Sequence, residues 1–325
     1  MKICSLLPSG TEIAFALGLG DQVVGVTDLC DYPPEARTKY VVSRSLVDTS
    51  VLTSAEVEQK MREFAEAGKS TYEIDTQWLY HNNPDVILTQ DLCYICDVDA
   101  SQVFEAVAVF KTQPRVLVLS PRTLGEIFAS IIEVGQVAEV RARAEELVGQ
   151  LRSRVDAIAS QAARAAYRPR VFSLEGIGPL VAGGHWIPEM KTLAGGRDEM
   201  FSPGCSALRL SWDQVVSYDP EILILTLCSS DLSRSLKEIH WLARQEGWWD
   251  LLAVRAGQVY MIDHIYFSRP GPRVVKGVEI LAQILHPEIF TGLIPPDKAM
   301  KLDPSADKGC APEALASCFR PYPSR

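Results

Sequence analysis

The feature that most constrains this chain is an order of elements that occurs twice. Asn83-Pro84-Asp85-Val86-Ile87-Leu88-Thr89-Gln90-Asp91-Leu92-Cys93 is mirrored by Asp219-Pro220-Glu221-Ile222-Leu223-Ile224-Leu225-Thr226-Leu227-Cys228. Each copy puts a short helix before a Pro-acid pair, an apolar strand and a loop carrying a cysteine. Each half then closes with a helix, an X-Val strand and a Pro-Arg turn. Between the copies lies Val140–Ala166, free of proline, with Ala144, Leu147, Val148, Leu151, Val155, Ile158 and Ala162 at three- and four-residue steps. That spacing predicts one amphipathic helix, about 40 Å long at 1.5 Å per residue. Alone, the stretch would equally suit a long surface helix of a single domain. The repeated order on its two sides makes it a connector between two α/β halves.

The expected fold class is therefore α/β, two lobes with parallel sheets because strands alternate with helices, and a ligand cleft between them. The boundaries read as an N-terminal lobe over 1–122, a helical connector over 123–167 with its long helix at about 140–166, and a C-terminal lobe over 168–302. Residues 303–325, rich in Pro, Ala and Ser with little apolar periodicity, read as a surface-packed or partly disordered tail. Within the first lobe, Lys2–Leu7 is predicted as a strand, Pro8-Ser9-Gly10 as a tight turn, and Thr11–Leu17 as a short helix ended by glycines. Thr123 and Glu126 form a capping-box pattern for a helix to about Val137.

A chain of 325 residues with 47% hydrophobic and 22% charged content suits a globular protein of two domains. A net charge of −9 argues against nucleic-acid or anionic-membrane partners. No apolar run approaches the roughly 18 residues of a membrane-spanning helix. The first residues form a strand too short for a signal-peptide core, so the expected location is cytoplasmic unless a leader was removed. Eight cysteines at irregular spacing do not make a small-scaffold disulfide framework, and most are expected to be reduced.

In parallel α/β sheets ligands meet the loops at the carboxyl ends of strands. Those loops carry Asp31, Tyr32, Cys93, Tyr94, His185, Trp186, Cys228, Tyr266, Phe267, Arg269 and Arg273. Aromatic rings, thiols, an imidazole and guanidinium groups together suit a large, flat, partly apolar ligand with polar edges, with or without a metal. Cys93-x-x-Cys96 lacks the second pair of a structural zinc site, which leaves packing, ligand contact or metal binding open. His185-Trp186 follows Gly183-Gly184 and is either a ligand-contacting or an ordinary loop pair. Trp248-Trp249 reads as core. Arg269-Pro270-Gly271-Pro272-Arg273 presents two arginines on a rigid turn, suited to carboxylate, phosphate or amide recognition; the alternative is a helix start with Arg273 exposed. There is no P-loop, nucleophile elbow or dinucleotide fingerprint, so no nucleotide is expected.

From Lys2 to about Pro287 the chain resembles the class III solute-binding proteins of ABC importers, the helical-backbone group that takes vitamin B12, siderophores and haem. The resemblance rests on Leu6-Leu7-Pro8-Ser9-Gly10-Thr11-Glu12, Gly25-Val26, Asp31-Tyr32-Pro33-Pro34, the paired Pro-acid strands, and Tyr266-Phe267-Ser268-Arg269 with Pro272-Arg273. It looks closest to the cobalamin-binding branch, and there to leaderless members with the Gln90-Asp91-Leu92-Cys93-x-x-Cys96 loop and Gly184-His185-Trp186. The resemblance implies two Rossmann-like lobes on one long helix, with little hinge motion. It implies corrinoid contacts at Phe267 and Arg269, and permease-docking acids at Asp213 and at the position held here by Gln77. Where the family offers a tyrosine and a tryptophan, this chain has Leu29 and, near the second, Ser45.

The resulting expectation is non-catalytic binding of a corrinoid, with His185 as candidate axial ligand to cobalt and Cys93 and Cys96 as further metal candidates. Partners are then the corrinoid itself and an ABC permease, in uptake, sequestration or delivery. Two alternatives stand beside it: haem or an iron–siderophore in the same fold, or an enzyme pairing Cys93 or Cys96 with His185.

Overall fold

The computed structural model describes residues 1–49, 51–91, 100–110 and 112–323. In the first lobe, strands β1 (Ile3–Ser5), β2 (Val23–Thr27), β3 (Tyr40–Ser45), β4 (Tyr72–Ile74), β5 (Val86–Thr89) and β6 (Arg115–Val118) form one sheet in the order β4-β3-β2-β1-β5-β6. Helices α1 (Pro8–Ala16), α2 (Ser54–Glu66), α3 (Thr76–Asn82) and α4 (Ala100–Val107) belong to this lobe, and α5 (Leu124–Val137) and α6 (Arg141–Ala162) leave it. In the second lobe, β7 (Val171–Ile177), β8 (Leu180–Ala182), β9 (Ile222–Leu225), β10 (Val259–Ile262), β11 (Ala299–Leu302) and β12 (Phe319–Pro321) run in the order β12-β11-β10-β9-β7-β8. Its helices are α7 (Ile187–Leu193), α8 (Trp212–Tyr218), α9 (Leu232–Glu238), α10 (His240–Ala243), α11 (Leu252–Arg255) and α12 (Val274–Leu285).

Both sheets are mixed, which refines the expectation of parallel ones. Their centres are parallel, but β3–β4, β7–β8, β10–β11 and β11–β12 pair antiparallel. Only Gly178 and Pro179 separate β7 from β8, and so short a link can join only antiparallel strands. Two further readings are corrected. The segment after residue 302 is not a surface tail: it supplies β12, and Leu315 and Phe319 are buried in the second lobe's core. Pro8-Ser9-Gly10 is not a turn but the first turn of α1, where proline costs nothing because its missing N–H would have no intrahelical partner.

The repeated motif has a definite mechanical content. Helices α3 and α8 both end on a left-handed residue, Asn83 at φ 42° and Asp219 at φ 45°, immediately before the proline. The acid after the proline then accepts the backbone N–H that opens each lobe. Asp85 Oδ2 accepts from Lys2 at 2.6 Å, and Glu221 Oε2 from Arg170 at 2.9 Å. This fastens β5 beside β1 and β9 beside β7, the central parallel pairs of the two sheets.

The long helix α6 buries Ala144, Val148, Leu151, Val155, Ile158 and Ala162, the predicted stripe except Leu147, which is only partly buried. At 1.5 Å per residue its 22 residues span about 33 Å. It is no free strut: α5 packs along it, and α12 from the second lobe covers it as well, so one apolar cluster runs continuously through both lobes. A Cβ on Gly135 would lie 2.4 Å from that of Ala144, so α5 and α6 cross too closely for any other residue there. The strand ends of both lobes open onto the space between them.

Candidate functional site

A cavity of about 330 Å³ lies between the lobes. From the first lobe it takes Leu7 and Ser9 after β1, Gln90 after β5 and Leu119 after β6; from the second, Glu175 on β7, Cys228 and Ser229 after β9, and Ser268 after β10. These are the carboxyl ends of strands, where a parallel sheet leaves a crevice. A neighbouring chamber of about 280 Å³ shares Ser9, Thr49, Cys228, Ser229, Ser268 and Pro270 with it and adds Asp31, His264 and Arg269.

Two cross-lobe contacts close the mouth. At the start of α2 the Ser54 N–H donates to Glu238 Oε1 at 2.8 Å and its hydroxyl bonds the other carboxylate oxygen. One turn on, Glu58 pairs with Arg209. The Glu238 carboxylate also lies 3.8 Å from Arg234 on α9, whose Nη1 donates to the Ser229 carbonyl. Ser54 follows Thr53, whose capping box with Glu56 holds the first turn of α2 in place against the second lobe.

On the opposite flank the lobes are tied by a buried ion network. Glu12 of α1 accepts from Arg273 through Nε at 2.9 Å and again through Nη2, and Arg269 Nη1 lies 3.5 Å away. Arg269 also makes a forked contact to Asp31. Burial opposes charge on Asp31, but the Arg269 guanidinium outweighs it and holds the carboxyl below the usual range. Burial also works against the charge on Arg269, and its bond to Asp31 keeps it firmly cationic. Beside them, burial and the Arg269 charge press His264 down to about 4, so its imidazole is neutral.

His185 lines the main cavity in a left-handed conformation at φ 54°. Its N–H donates to the Cys205 carbonyl at 2.6 Å and its own carbonyl accepts from Gly204 at 2.9 Å, which fixes the turn. Gly184 before it is obligatory, since a Cβ there would sit 2.3 Å from the Ala207 nitrogen. Burial, and then the nearby Arg122, lower the His185 pKa, so the ring offers a neutral nitrogen to the cleft.

Of the expected site residues, the structure brings His185, Trp186 and Cys228 to the main cavity and Asp31, Arg269 and Cys228 to the adjoining chamber. Trp186 contributes only its edge: it is 4% exposed, and its indole N–H donates to the Phe267 carbonyl at 2.7 Å. Phe267 itself is 1% exposed and packs in the shared core, so it presents no surface to a ligand. Tyr32, Tyr266 and Arg273 face a different groove, beyond Glu12, and Arg273 lies 4.1 Å over the Tyr32 ring. Trp248 is wholly buried, as expected of a core residue. Cys93, Tyr94 and Cys96 fall outside the described residues. Among the described residues no group of three or more His, Cys, Asp or Glu side chains is arranged to hold a metal ion. Gln77 and Asp213 are both exposed, and each is the second residue of its helix, α3 and α8, which the repeat places in equivalent positions.

Sequence reasoning missed Glu58, Glu175, Arg209 and Arg234. Their only sequence signal is closeness to a strand end or helix start, and nothing local singles them out. None of the helices among the described residues is long and apolar enough to cross a membrane.

A family model described as periplasmic binding protein matches residues 3–266. The chain is 24% identical over 302 residues to an uncharacterized ABC transporter substrate-binding lipoprotein of Bacillus subtilis, covering 89% of this chain and 81% of that one. It is 25% identical over 293 residues to the vitamin B12-binding protein of Vibrio cholerae, covering 86% of each. Among solved structures, the periplasmic heme-binding protein of Roseiflexus sp. in its apo form superposes with a TM-score of 0.66 at 21% identity, over 88% of this chain and 98% of that one. The last of these speaks for the fold alone.

Proposed function

The chain belongs to the periplasmic binding protein family, and from that premise we propose that it binds a corrinoid in the cleft between its lobes and releases it unchanged. The observation that carries the choice of ligand is how the cleft's charges are spent. Each guanidinium that lines the two chambers faces a carboxylate: Arg209 meets Glu58, Arg234 meets Glu238, and Arg269 meets Asp31 and Glu12. Among the described residues the lining thus leaves no guanidinium uncommitted, while Asp28 and Asp231 add acidic charge to the second chamber. That suits a corrin, whose rim carries neutral amides, better than a porphyrin with two propionates. The relatives named vitamin B12-binding protein support the same reading.

In this reading the neutral His185 ring approaches cobalt, Cys228 and Gln90 line the ligand's edge, and Arg269, held by Asp31, forms part of the second chamber's wall. The cavity is at the small end of the roughly 300–1,000 Å³ usual for small-molecule pockets. A macrocycle therefore enters only when α2 parts from Glu238 and Arg209. The ABC permease is the partner this family membership suggests, met through the exposed faces that carry Gln77 and Asp213.

Titration with hydroxocobalamin tests the proposal. A shift in its visible spectrum with calorimetric heat is expected, and His185→Ala should abolish the shift while leaving weaker binding. No heat and no shift, or tight retention of haem instead, would overturn it. The haem reading keeps one specific observation in its favour, the same neutral imidazole at the cleft wall, and the paired titrations separate the two.

A further inference from the structure

The pairing of β7 with β8 slips at one residue. Leu174 faces Ala182 and Gly176 faces Val181, so Glu175 is an extra residue in β7 with no partner across the ladder. Such a bulge turns a side chain out of the alternation of a strand, and bulges of this kind gather beside binding sites. Here it is locked in place. The Glu175 carbonyl accepts the Cys228 N–H at 2.8 Å, and a Cβ on Gly176 would lie 2.9 Å from the Pro179 carbonyl oxygen. The result is an acid set on the wall of the main cavity by rigid backbone.

Resting on the corrinoid reading above, we infer that Glu175 is a specificity-determining residue of the cleft, holding its proton and donating a hydrogen bond to a carbonyl-type oxygen on the ligand's rim. The surroundings favour the neutral acid. Burial, then the neighbouring Cys228, push its carboxyl up to about 8, against a smaller pull from the Gly184 N–H and Lys191. Lys191 is itself engaged by Asp198. Of the other charged groups around the cavity, Glu58 faces Arg209 and Arg234 faces Glu238, Arg122 lies near His185, and His185 is neutral. A neutral acid is a donor that discriminates. It meets an amide carbonyl well, and it turns into a repelling acceptor once it loses its proton.

The test is the affinity for cyanocobalamin, whose axial cyanide does not titrate, between pH 6 and pH 9 for the intact protein and for Glu175→Gln, Glu175→Ala and Cys228→Ser. The unaltered protein should bind more weakly as pH rises through about 8, and Cys228→Ser should keep that fall with its midpoint moved to lower pH, because the neighbouring Cys228 helps to raise the Glu175 carboxyl. Glu175→Gln retains a donor of the same shape and should bind within about threefold at pH 7, with no fall toward pH 9. Glu175→Ala should weaken binding about tenfold, the loss of one buried hydrogen bond. If Glu175→Ala binds like the parent, or Glu175→Gln keeps the pH profile, this inference fails while the corrinoid reading stands. If the parent protein does not bind cyanocobalamin at all, the reading fails and takes this inference with it.

Discussion

Glu12 is the residue whose loss should be felt most widely. Its side chain is 2% exposed, and it faces Arg273 at 13% and Arg269 at 10%. Replacing it with alanine leaves two largely buried guanidinium groups, with Arg273 at the edge of a groove. Removing one partner of a buried ion pair costs about 3–5 kcal/mol, because the other charge stays behind unpaired. Two features of the site soften that here. Arg269 keeps its forked contact to Asp31, and Arg273 keeps the Tyr32 ring beneath it. The expected cost is therefore at the lower end, about 3 kcal/mol, or roughly a hundredfold in the folding equilibrium. Urea unfolding of Glu12→Ala should show the drop in midpoint with the slope unchanged. Adding Arg273→Met to Glu12→Ala should recover much of the loss, since the stranded charge goes too. A loss below about 1 kcal/mol, or a second substitution that deepens it, would refute the picture of a buried cross-lobe ion network. The same variant should also weaken ligand binding, because α1 and the start of α12 no longer hold the lobes in register on that flank.

Two further outcomes follow from local geometry. The His264 Nδ1 is buried without a hydrogen-bond partner and the ring stays neutral down to about 4, whereas an unfolded histidine takes a proton near 6.5. The unfolded state thus binds more protons between those values, so stability falls as pH drops from about 6.5 toward 4, by up to about 3 kcal/mol from this residue; the decline in melting temperature should be shallower in His264→Phe. Gly184→Ala must push a methyl group into the backbone of Ser206 and Ala207, which should cost about 1–3 kcal/mol in thermal or urea unfolding and displace His185 from the cleft.

Much of the fold was legible because its causes are local. The stripe on α6 declares itself through spacing alone, and the cap at Thr123 is present, its hydroxyl accepting from the Glu126 N–H at 3.2 Å. The Glu126 carboxylate, however, reaches back one residue further than a capping box requires, to the Arg122 N–H. The Pro-acid repeat was visible as a pattern, but its work, an acid catching the backbone that starts each lobe, lies between residues 83 and 51 positions apart. The mixed sheet edges and β12 were missed for a related reason. Edge strands of three residues are too short for periodicity to distinguish them from loops.

The amino-acid sequence by itself determined that there are two lobes, that a single amphipathic helix runs between them, and that strand-end loops line the space between the lobes. Each of these follows from interactions within a few turns or strands of chain. Which loops face the cleft was decided only by tertiary structure. Phe267 and Arg269 are two residues apart, yet one is sealed in the core and the other reaches Asp31 across the interface between lobes. Tyr32, Tyr266 and Arg273 turn to the far side of Glu12, and Glu175 enters the cavity only through a bulge. The pairs that close the molecule, Glu12 with Arg273 and Glu58 with Arg209, join residues 261 and 151 positions apart. No local pattern encodes such a pair; it exists only once both sheets are built and α6 has brought their open ends together.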